Sequence, residues 1–218
     1  MNTINTPMYN GYLVQSEKGE LIENILIRNE QVVNQALHHH KRLIALRFEL
    51  KFPAMYQGDC EIISKFFDSL RVKLKFDLAS KSKKRNRRIH SELNYVWVKE
   101  QSRSMGWHYH VVIFLNHDVY NCFGRVASID ENLYSRLFSA WTSALGVPES
   151  AAKGLVHISK PTHKLDLDSD TTIPDIFALL SRISYFAKVA TKPYGTGERH
   201  RFFGTSSIKN KEPVLNSY

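Results

Sequence analysis

Four stretches of the chain repeat their apolar residues every three or four positions, the spacing that places them on one face of a helix. The first runs from about Glu20 to Leu37, and the second runs from Asp59 to about Leu78. The third covers residues 130 to 145, and the last runs from about Pro174 to Thr191. The pattern therefore predicts four amphipathic helices, the last with a proline in its first turn, where proline is favoured.

Four shorter stretches are alternating or continuously apolar, as buried β-strands are. They span Arg42 to Phe52, Leu93 to Gln101, Trp107 to Leu115, and Gly154 to Ser159. A short turn joins the second and third, which predicts an antiparallel hairpin. Together these elements predict an α+β fold, with a central antiparallel sheet and helices packed mainly on one face.

The remaining segments are polar. Residues 1 to 16 look loosely ordered, residues 81 to 88 form a basic run typical of a solvated loop, and the tail from Lys192 onward looks irregular. The histidines at 38 to 40 are interpreted as a solvated helix end. We expect an N-terminal extension over 1–40, a main domain over 41–207 and an irregular tail over 208–218.

Composition narrows the range of partners. The chain has 218 residues, 43% hydrophobic and 23% charged, which fits a folded globular protein. Thirty Lys and Arg against 21 Asp and Glu give a net charge of +9, which favours nucleic acid over a membrane as the partner. Cys60 and Cys122 lack metal-ligand spacing and indicate a reducing compartment. With no signal peptide and no run of roughly 20 apolar residues, we expect a cytoplasmic protein.

Two histidines in the third strand form a candidate metal site. His108 and His110 lie two positions apart, so both imidazoles project from the same face of the strand. If residues 102–106 form the turn, Glu100 lies directly opposite His108, with Cβ atoms roughly 5 Å apart. A shift of one residue would place Gln101, a poorer ligand, there instead. Two imidazoles and a carboxylate suit Mg²⁺ or Mn²⁺ in use, with tighter binding of Co²⁺, Ni²⁺ or Zn²⁺ expected in vitro.

The last predicted helix carries a candidate nucleophile, Tyr185, with Lys188 one turn later. On a helical wheel Tyr185 lies opposite the apolar face, near Arg182 and Lys192. It is either a surface aromatic covered by Arg and Lys stems or a nucleophile. A phenol is a weak nucleophile unless helped, but a divalent cation can polarise a phosphodiester and a lysine can neutralise the developing charge.

Three other tyrosines compete for the role of nucleophile, namely Tyr120, Tyr134 and Tyr194. None of them has a lysine three residues later. A tyrosine, a lysine and a Glu-His-His metal site together suit transesterification of a phosphodiester. The enzyme would become linked to the 5′ phosphate and leave a free 3′-OH, so that the strand could be rejoined without ATP.

These features resemble the HUH superfamily of single-strand DNA nickases, in which two histidines flank one hydrophobic residue, here Tyr109. The closest likeness is to prophage and satellite proteins of the YagK/YfjJ type, often described as similar to the inovirus gene-two replication protein. The motifs that carry it are Tyr95–Gln101, His108–His110, Ala140-Trp141 with Ala144–Gly146, Gly154–His157, Arg182–Lys188 and Arg201–Gly204. The resemblance implies a ferredoxin-like or RRM-like sheet with the histidine strand central, and one catalytic tyrosine.

The early strand differs from the Thr-rich version common in plasmid initiators, so we assign it no catalytic role. Two interpretations of Glu49 stay open: its side chain faces the site, or it is a charge at the edge of the strand. The sequence contains no helicase-type phosphate loop, so unwinding would need a helicase from the host or from the element.

The resemblance implies a sequence-specific nicking and rejoining enzyme that initiates rolling-circle replication of a phage or prophage element in a bacterial cytoplasm, on single-stranded origin DNA. The residues expected to bind phosphate are Lys83, Lys84, Arg85, Arg87, Arg88, Arg182 and Lys192. Two alternatives stay open. One is a transposase or relaxase of the same superfamily, and the other is a DNA-binding regulator that has the fold but does not nick.

Overall fold

One large antiparallel sheet and four α-helices make up the fold. The computed structural model describes residues 2–53, 61–102, 106–126, 131–190, 192 and 202–209. The helices are α1 (Glu23–His39), α2 (Ile62–Lys84), α3 (Leu133–Leu145) and α4 (Thr172–Ser184). The strands are β1 (Thr3–Ile4), β2 (Met8–Tyr9), β3 (Tyr12–Leu13), β4 (Leu21–Ile22), β5 (Arg42–Lys51), β6 (Asn94–Ser102), β7 (Gly106–Asn116), β8 (Val156–Ile158), β9 (His163–Asp166) and β10 (Phe203–Thr205).

The large sheet has the order β10-β6-β7-β5-β8, and β9 also pairs with β5. All of these pairs are antiparallel. The histidine strand β7 is therefore central, between β6 and β5. The α+β class and the central antiparallel sheet are confirmed.

Helices cover both faces of this sheet, whereas the sequence pattern led us to expect them mainly on one. Ile44 and Leu46 of β5 belong to the core formed with α2 and α3. Leu43 and Ala45 belong to the core formed with α1 and α4. Because successive side chains of a strand point to opposite faces, β5 is apolar on both, and each face needs its own layer of helices.

The N-terminal segment, expected to be loosely ordered, holds the end of α4. β1 pairs with β4, and β2 pairs with β3. The Gln15 side-chain amide donates to the carbonyl oxygens of Ser181 and Arg182 at 3.1 and 3.2 Å. The Asn29 amide of α1 donates to the Ile183 carbonyl at 3.1 Å. These amides satisfy carbonyl groups at the helix end that have no partner within the helix.

The capped end explains why α4 stops at Ser184 instead of continuing to residue 191 as predicted. A short 3-10 helix, Tyr185–Ala187, follows it, and Lys188 already has an extended backbone. The candidate nucleophile therefore lies at the junction of two helical segments. Its position is set by contacts with the N-terminal segment as well as by the helix itself.

Other boundaries differ from the predicted ones for clear reasons. α2 continues through Lys84 because lysine and serine in its last turns do not break a helix, although their charge resembles a loop. The tail contributes β10 at the edge of the sheet beside β6. His40 is buried, accepts a hydrogen bond from the Glu92 amide at 2.9 Å, and has its pKa lowered to about 4 by burial. Within the described ranges, no helix is both long enough and apolar enough to cross a membrane.

Candidate active site

The β6–β7 hairpin brings the three predicted metal ligands together. Glu100 pairs with His108, and Gln101 pairs with Trp107, so the register is the expected one. Glu100, His108 and His110 are 2%, 2% and 5% exposed. Charged and imidazole groups are rarely buried to this extent unless they have partners. Gln101 is exposed, which removes it as the alternative ligand.

Distances within this group fit a single cation. His108 Nε2 lies 3.2 Å from His110 Nε2, and His110 Nε2 lies 3.4 Å from Glu100 Oε2. One ligand atom from each of the three residues can be chosen so that all lie within 4.8 Å of one another. Two ligands about 2.1 Å from a metal and separated by about 90–109° lie roughly 3.0–3.4 Å apart. The residues therefore have the spacing of a set of metal ligands, and they could hold a divalent ion.

The Nδ1 atom of each imidazole lies near an oxygen atom. This arrangement leaves the Nε2 atom of each ring available to a metal. His108 Nδ1 lies 3.2 Å from the Gly106 carbonyl oxygen, to which it can donate. His110 Nδ1 lies 3.4 Å from Glu49 Oε1, although no aligned hydrogen bond joins them. When Nδ1 carries the proton, Nε2 presents its lone pair. Burial also lowers the pKa of His108, which favours the neutral ring that a metal requires.

Lys192 occupies the other side of Glu100. Its ammonium donates to Glu100 Oε1 at 2.6 Å, and both side chains are buried. Burial alone raises the pKa of Glu100, but His110 and Lys192 outweigh burial and lower that pKa to about 2. Glu100 is therefore ionised, with Oε1 held by Lys192 and Oε2 near His110.

Tyr185 lies beside the imidazole pair. Its ring centroid is 5.9 Å from that of His110, in an edge-to-face arrangement. Lys188 Nζ lies 5.3 Å from the centre of the Tyr185 ring. Burial raises the pKa of Tyr185, and the Glu100 carboxylate raises it further. The phenol is therefore protonated in the protein without a metal, and it needs added positive charge to become a nucleophile.

The competing tyrosines do not lie at this site. Tyr120 and Tyr134 belong to the core on the opposite face of the sheet. The Tyr120 hydroxyl donates to Asp77 at 2.7 Å, and burial raises the pKa of both phenols. Tyr194 lies outside the described residues. Tyr185 is thus the candidate that the fold brings to the metal ligands.

The predicted phosphate contacts fall into two groups. Arg182 lies one turn before Tyr185, close to the site. Lys192 is buried against Glu100, a different neighbour from the phosphate that was predicted. The exposed basic residues between 83 and 88 lie at the end of α2 and just after it, in the segment that leads to Asn94. Asn94 pairs with Phe114 at the far end of β7. At about 3.3 Å per residue, that end of β6 lies roughly 20 Å from Glu100. Contacts of the basic run with DNA stay a prediction.

Sequence reasoning gave three residues near the site either no role there or a different one. Glu49 pairs with both His110 and His157 across the sheet, and its Oε2 lies 3.7 Å from His157 Nδ1. Arg47, two residues earlier, shares its face and packs on Tyr185. Lys192 was predicted to contact DNA phosphate, whereas in the structure it pairs with Glu100. Alternation along β5 shows that positions 47 and 49 share a face, but only the order of strands shows that this face carries the site.

Glu100→Ala is expected to weaken Mn²⁺ binding about tenfold or more, because the candidate site loses its carboxylate ligand. Loss of a group that only supports a ligand already costs about 10- to 100-fold in affinity. Isothermal titration calorimetry of the purified protein measures the change. Gln101→Ala is the matched control, since this neighbour is exposed and should leave the affinity unchanged. Equal Mn²⁺ affinity in Glu100→Ala and wild type would remove Glu100 from the site.

Comparison with known proteins identifies the family. The YagK/YfjJ C-terminal domain family matches residues 4 to 206. The chain is 33% identical over 183 residues to the uncharacterized protein YagK of Escherichia coli (strain K12), covering 79% of this chain and 86% of YagK. It is 30% identical over 204 residues to the uncharacterized protein YfjJ of the same organism, covering 88% and 97%. No solved structure matches the chain. The chain belongs to the YagK/YfjJ C-terminal domain family.

Proposed function

We propose that this protein is a metal-dependent single-strand DNA nickase and strand transferase of the HUH superfamily. It cuts origin DNA through a 5′-phosphotyrosine link at Tyr185 and so initiates rolling-circle replication of a phage or prophage element. The observation that carries the proposal is the position of Tyr185. Its ring lies 5.9 Å from the His110 ring, although the two residues belong to elements far apart in the sequence.

The residues around Tyr185 supply the chemistry of transesterification. A divalent cation held by Glu100, His108 and His110 would draw charge from the phosphoryl oxygens. Tyr185 Oη forms a bond to phosphorus, and the bond from phosphorus to the 3′ oxygen breaks. The phenol proton leaves to water, and the departing 3′ oxygen takes up a proton. Lys188, close to the ring, favours the phenolate by its charge.

This exchange of one phosphate ester for another conserves the energy of the strand. The products are a tyrosine 5′-phosphodiester and a free 3′-OH, so the reverse reaction rejoins the strand without ATP. The net charge of +9 favours binding to the DNA backbone in a salt-dependent way. The proposal includes a separate helicase as a partner and the cytoplasm of a bacterial host as the location.

The test is to incubate the protein with Mn²⁺ and single-stranded DNA from the origin of its own element. Denaturing electrophoresis detects a covalent adduct, and mass spectrometry of proteolytic peptides names the linked residue. We expect the nucleotide to be attached to the peptide that contains Tyr185. DNA that is bound but never cut, with or without Mn²⁺, would overturn the proposal and favour a DNA-binding regulator.

A further inference from the structure

Arg47 of β5 has an unusual environment for an arginine. Its guanidinium carbon lies 5.5 Å from the centres of both the Tyr185 and Phe186 rings. Its Nε is buried and has no hydrogen-bond partner in the described part of the chain. Among those residues, no carboxylate forms an ion pair with it. A buried donor without a partner is destabilising, so this arrangement requires a physical explanation.

Arg182 of α4 is a second arginine with an unsatisfied donor. Its Nε is also buried without a partner in the described ranges. Its terminal nitrogen makes only a long contact, 3.5 Å, with the Lys160 carbonyl oxygen. The two guanidiniums are close enough to lower the pKa of Arg47, after the larger effect of burial. The Glu49 and Glu100 carboxylates raise the pKa of Arg47, but among the described residues neither forms an ion pair with Arg47 or Arg182. An anion that joins the two guanidiniums would relieve their repulsion and use their free donors.

The fold holds the two arginines in place. Arg47 is fixed by β5, and the Ser159 amide donates to the Arg47 carbonyl oxygen at 3.0 Å. Arg182 precedes Tyr185 by three residues, and its own carbonyl is capped by Gln15. The Arg47 guanidinium thus packs on the Tyr185 ring from the sheet. Arg182 lies one turn before Tyr185 on the helix, and its charge lowers the pKa of the same phenol, although burial and Glu100 raise it more.

We infer that Arg47 and Arg182 form an oxyanion-binding site for a phosphodiester phosphate next to Tyr185. A guanidinium presents parallel N–H donors that match two oxygens of a phosphate, which an ammonium does not. The inference rests on the proposed function in that the phosphate is the one that Tyr185 attacks. The arginines bind its non-bridging oxygens and also bind the phosphate of the tyrosine adduct. Arg47 would then be a catalytic residue that the sequence does not indicate.

The first experiment requires no nicking. Inorganic phosphate is titrated into metal-free Tyr185→Phe protein, and the Nε–Hε signals of the arginines are followed by NMR. We expect saturable shifts of the Arg47 and Arg182 signals. Arg47→Gln is expected to weaken phosphate binding about tenfold or more, since it removes a positive charge and its charge-assisted hydrogen bonds to the anion. Arg71→Gln is the matched control, because Arg71 lies on the opposite face and pairs with Asp68.

The second experiment measures adduct formation at saturating DNA. Arg47→Gln is expected to slow adduct formation about 100-fold or more, as removal of an oxyanion donor does in other enzymes. Arg47→Lys is expected to keep only part of the wild-type rate, because an ammonium supplies the charge without the paired donors. Mn²⁺ affinity should stay at the wild-type value in both variants. This readout shows that the variants keep a folded metal site.

The two experiments separate the possible failures. If wild type forms no adduct but phosphate shifts both arginine signals, the proposed function fails and the anion site stands. If wild type forms the adduct, Arg47→Gln forms it equally fast and phosphate shifts neither signal, the anion site fails alone. The phosphate-induced shifts are measured in Tyr185→Phe protein, in which both arginines are intact, so the test stays decisive even if Arg47→Gln does not fold.

Discussion

Tyr185→Phe is expected to abolish the covalent protein–DNA adduct while leaving the affinity for single-stranded DNA unchanged. Phenylalanine keeps the ring that packs against His110 and Arg47 but has no oxygen to bond to phosphorus. The Tyr185 hydroxyl forms no hydrogen bond with another residue in the described ranges, so its removal leaves no buried group unpaired. Denaturing gels measure the adduct, and fluorescence anisotropy of a labelled oligonucleotide measures binding.

Tyr134→Phe is the matched control for this variant. Tyr134 is buried on the opposite face of the sheet, where its hydroxyl makes only a weak contact of 3.4 Å with the Val156 carbonyl. It should form the adduct as wild type does. A Tyr185→Phe protein that still forms the adduct would show that another residue is the nucleophile.

Lys192→Met is expected to lower the free energy of unfolding of the metal-free protein by about 3–5 kcal/mol, because it leaves the buried, ionised Glu100 without its ammonium partner and with only the His110 imidazole beside it among the described residues, at 3.4 Å. The Lys192 and Glu100 side chains are 0% and 2% exposed, so water cannot replace the lost ammonium. Urea unfolding in the presence of a chelator measures the change. Mn²⁺ should stabilise this variant more than wild type, since a cation at Glu100 supplies the missing positive charge.

The control for Lys192→Met is Lys81→Met. Lys81 pairs with Asp77, but this carboxylate also has Arg136 at 2.7 Å and is not left alone. Removal of the part-exposed Lys81 ammonium should cost less than about 1 kcal/mol, because Arg136 still pairs with Asp77. The double variant Glu100→Met, Lys192→Met should recover much of the stability, because it removes both charges together. A Lys192→Met protein as stable as wild type would contradict the ion pair.

Acid unfolding tests the same ion pair by protonating Glu100 instead of removing Lys192. The pKa of Glu100 in the folded protein is about 2, below its ordinary value of 4.5. The folded state therefore binds the proton less tightly than the unfolded state does. The stabilisation is complete above pH 4.5 and is lost as the pH falls toward 2. In Lys192→Met the pKa of Glu100 rises, so we expect its stability to fall less over this range.

Local patterns were sufficient to place the three candidate metal ligands together. His108 and His110 share a face because strand side chains alternate, and Glu100 faces His108 because a short turn fixes the register of a hairpin. Both relations involve residues close together along the chain, so spacing alone predicts them. Strand alternation likewise predicted β5. Both faces of this strand are apolar, which is consistent with the helix layers found on both faces of the sheet.

Helix periodicity was less reliable for the end of α4. The apolar spacing continues past Ser184, so the pattern predicts a longer helix with Tyr185 inside it. In the structure the helix ends there because Gln15 and Asn29, from the N-terminal segment, cap its last carbonyl groups. Such side-chain caps come from elements distant in sequence and cannot be read from the helix itself.

The sequence by itself determined the α+β class, the histidine pair with its glutamate, and the choice of Tyr185 as the candidate nucleophile. Only the tertiary structure decided that Tyr185 lies against His110, that Lys192 neutralises Glu100 from 92 residues away, and that Arg47 reaches the tyrosine. The physical reason is the range of the interactions. Alternation and hairpin register act over a few residues, whereas these contacts depend on strand order and on which helix packs on which face.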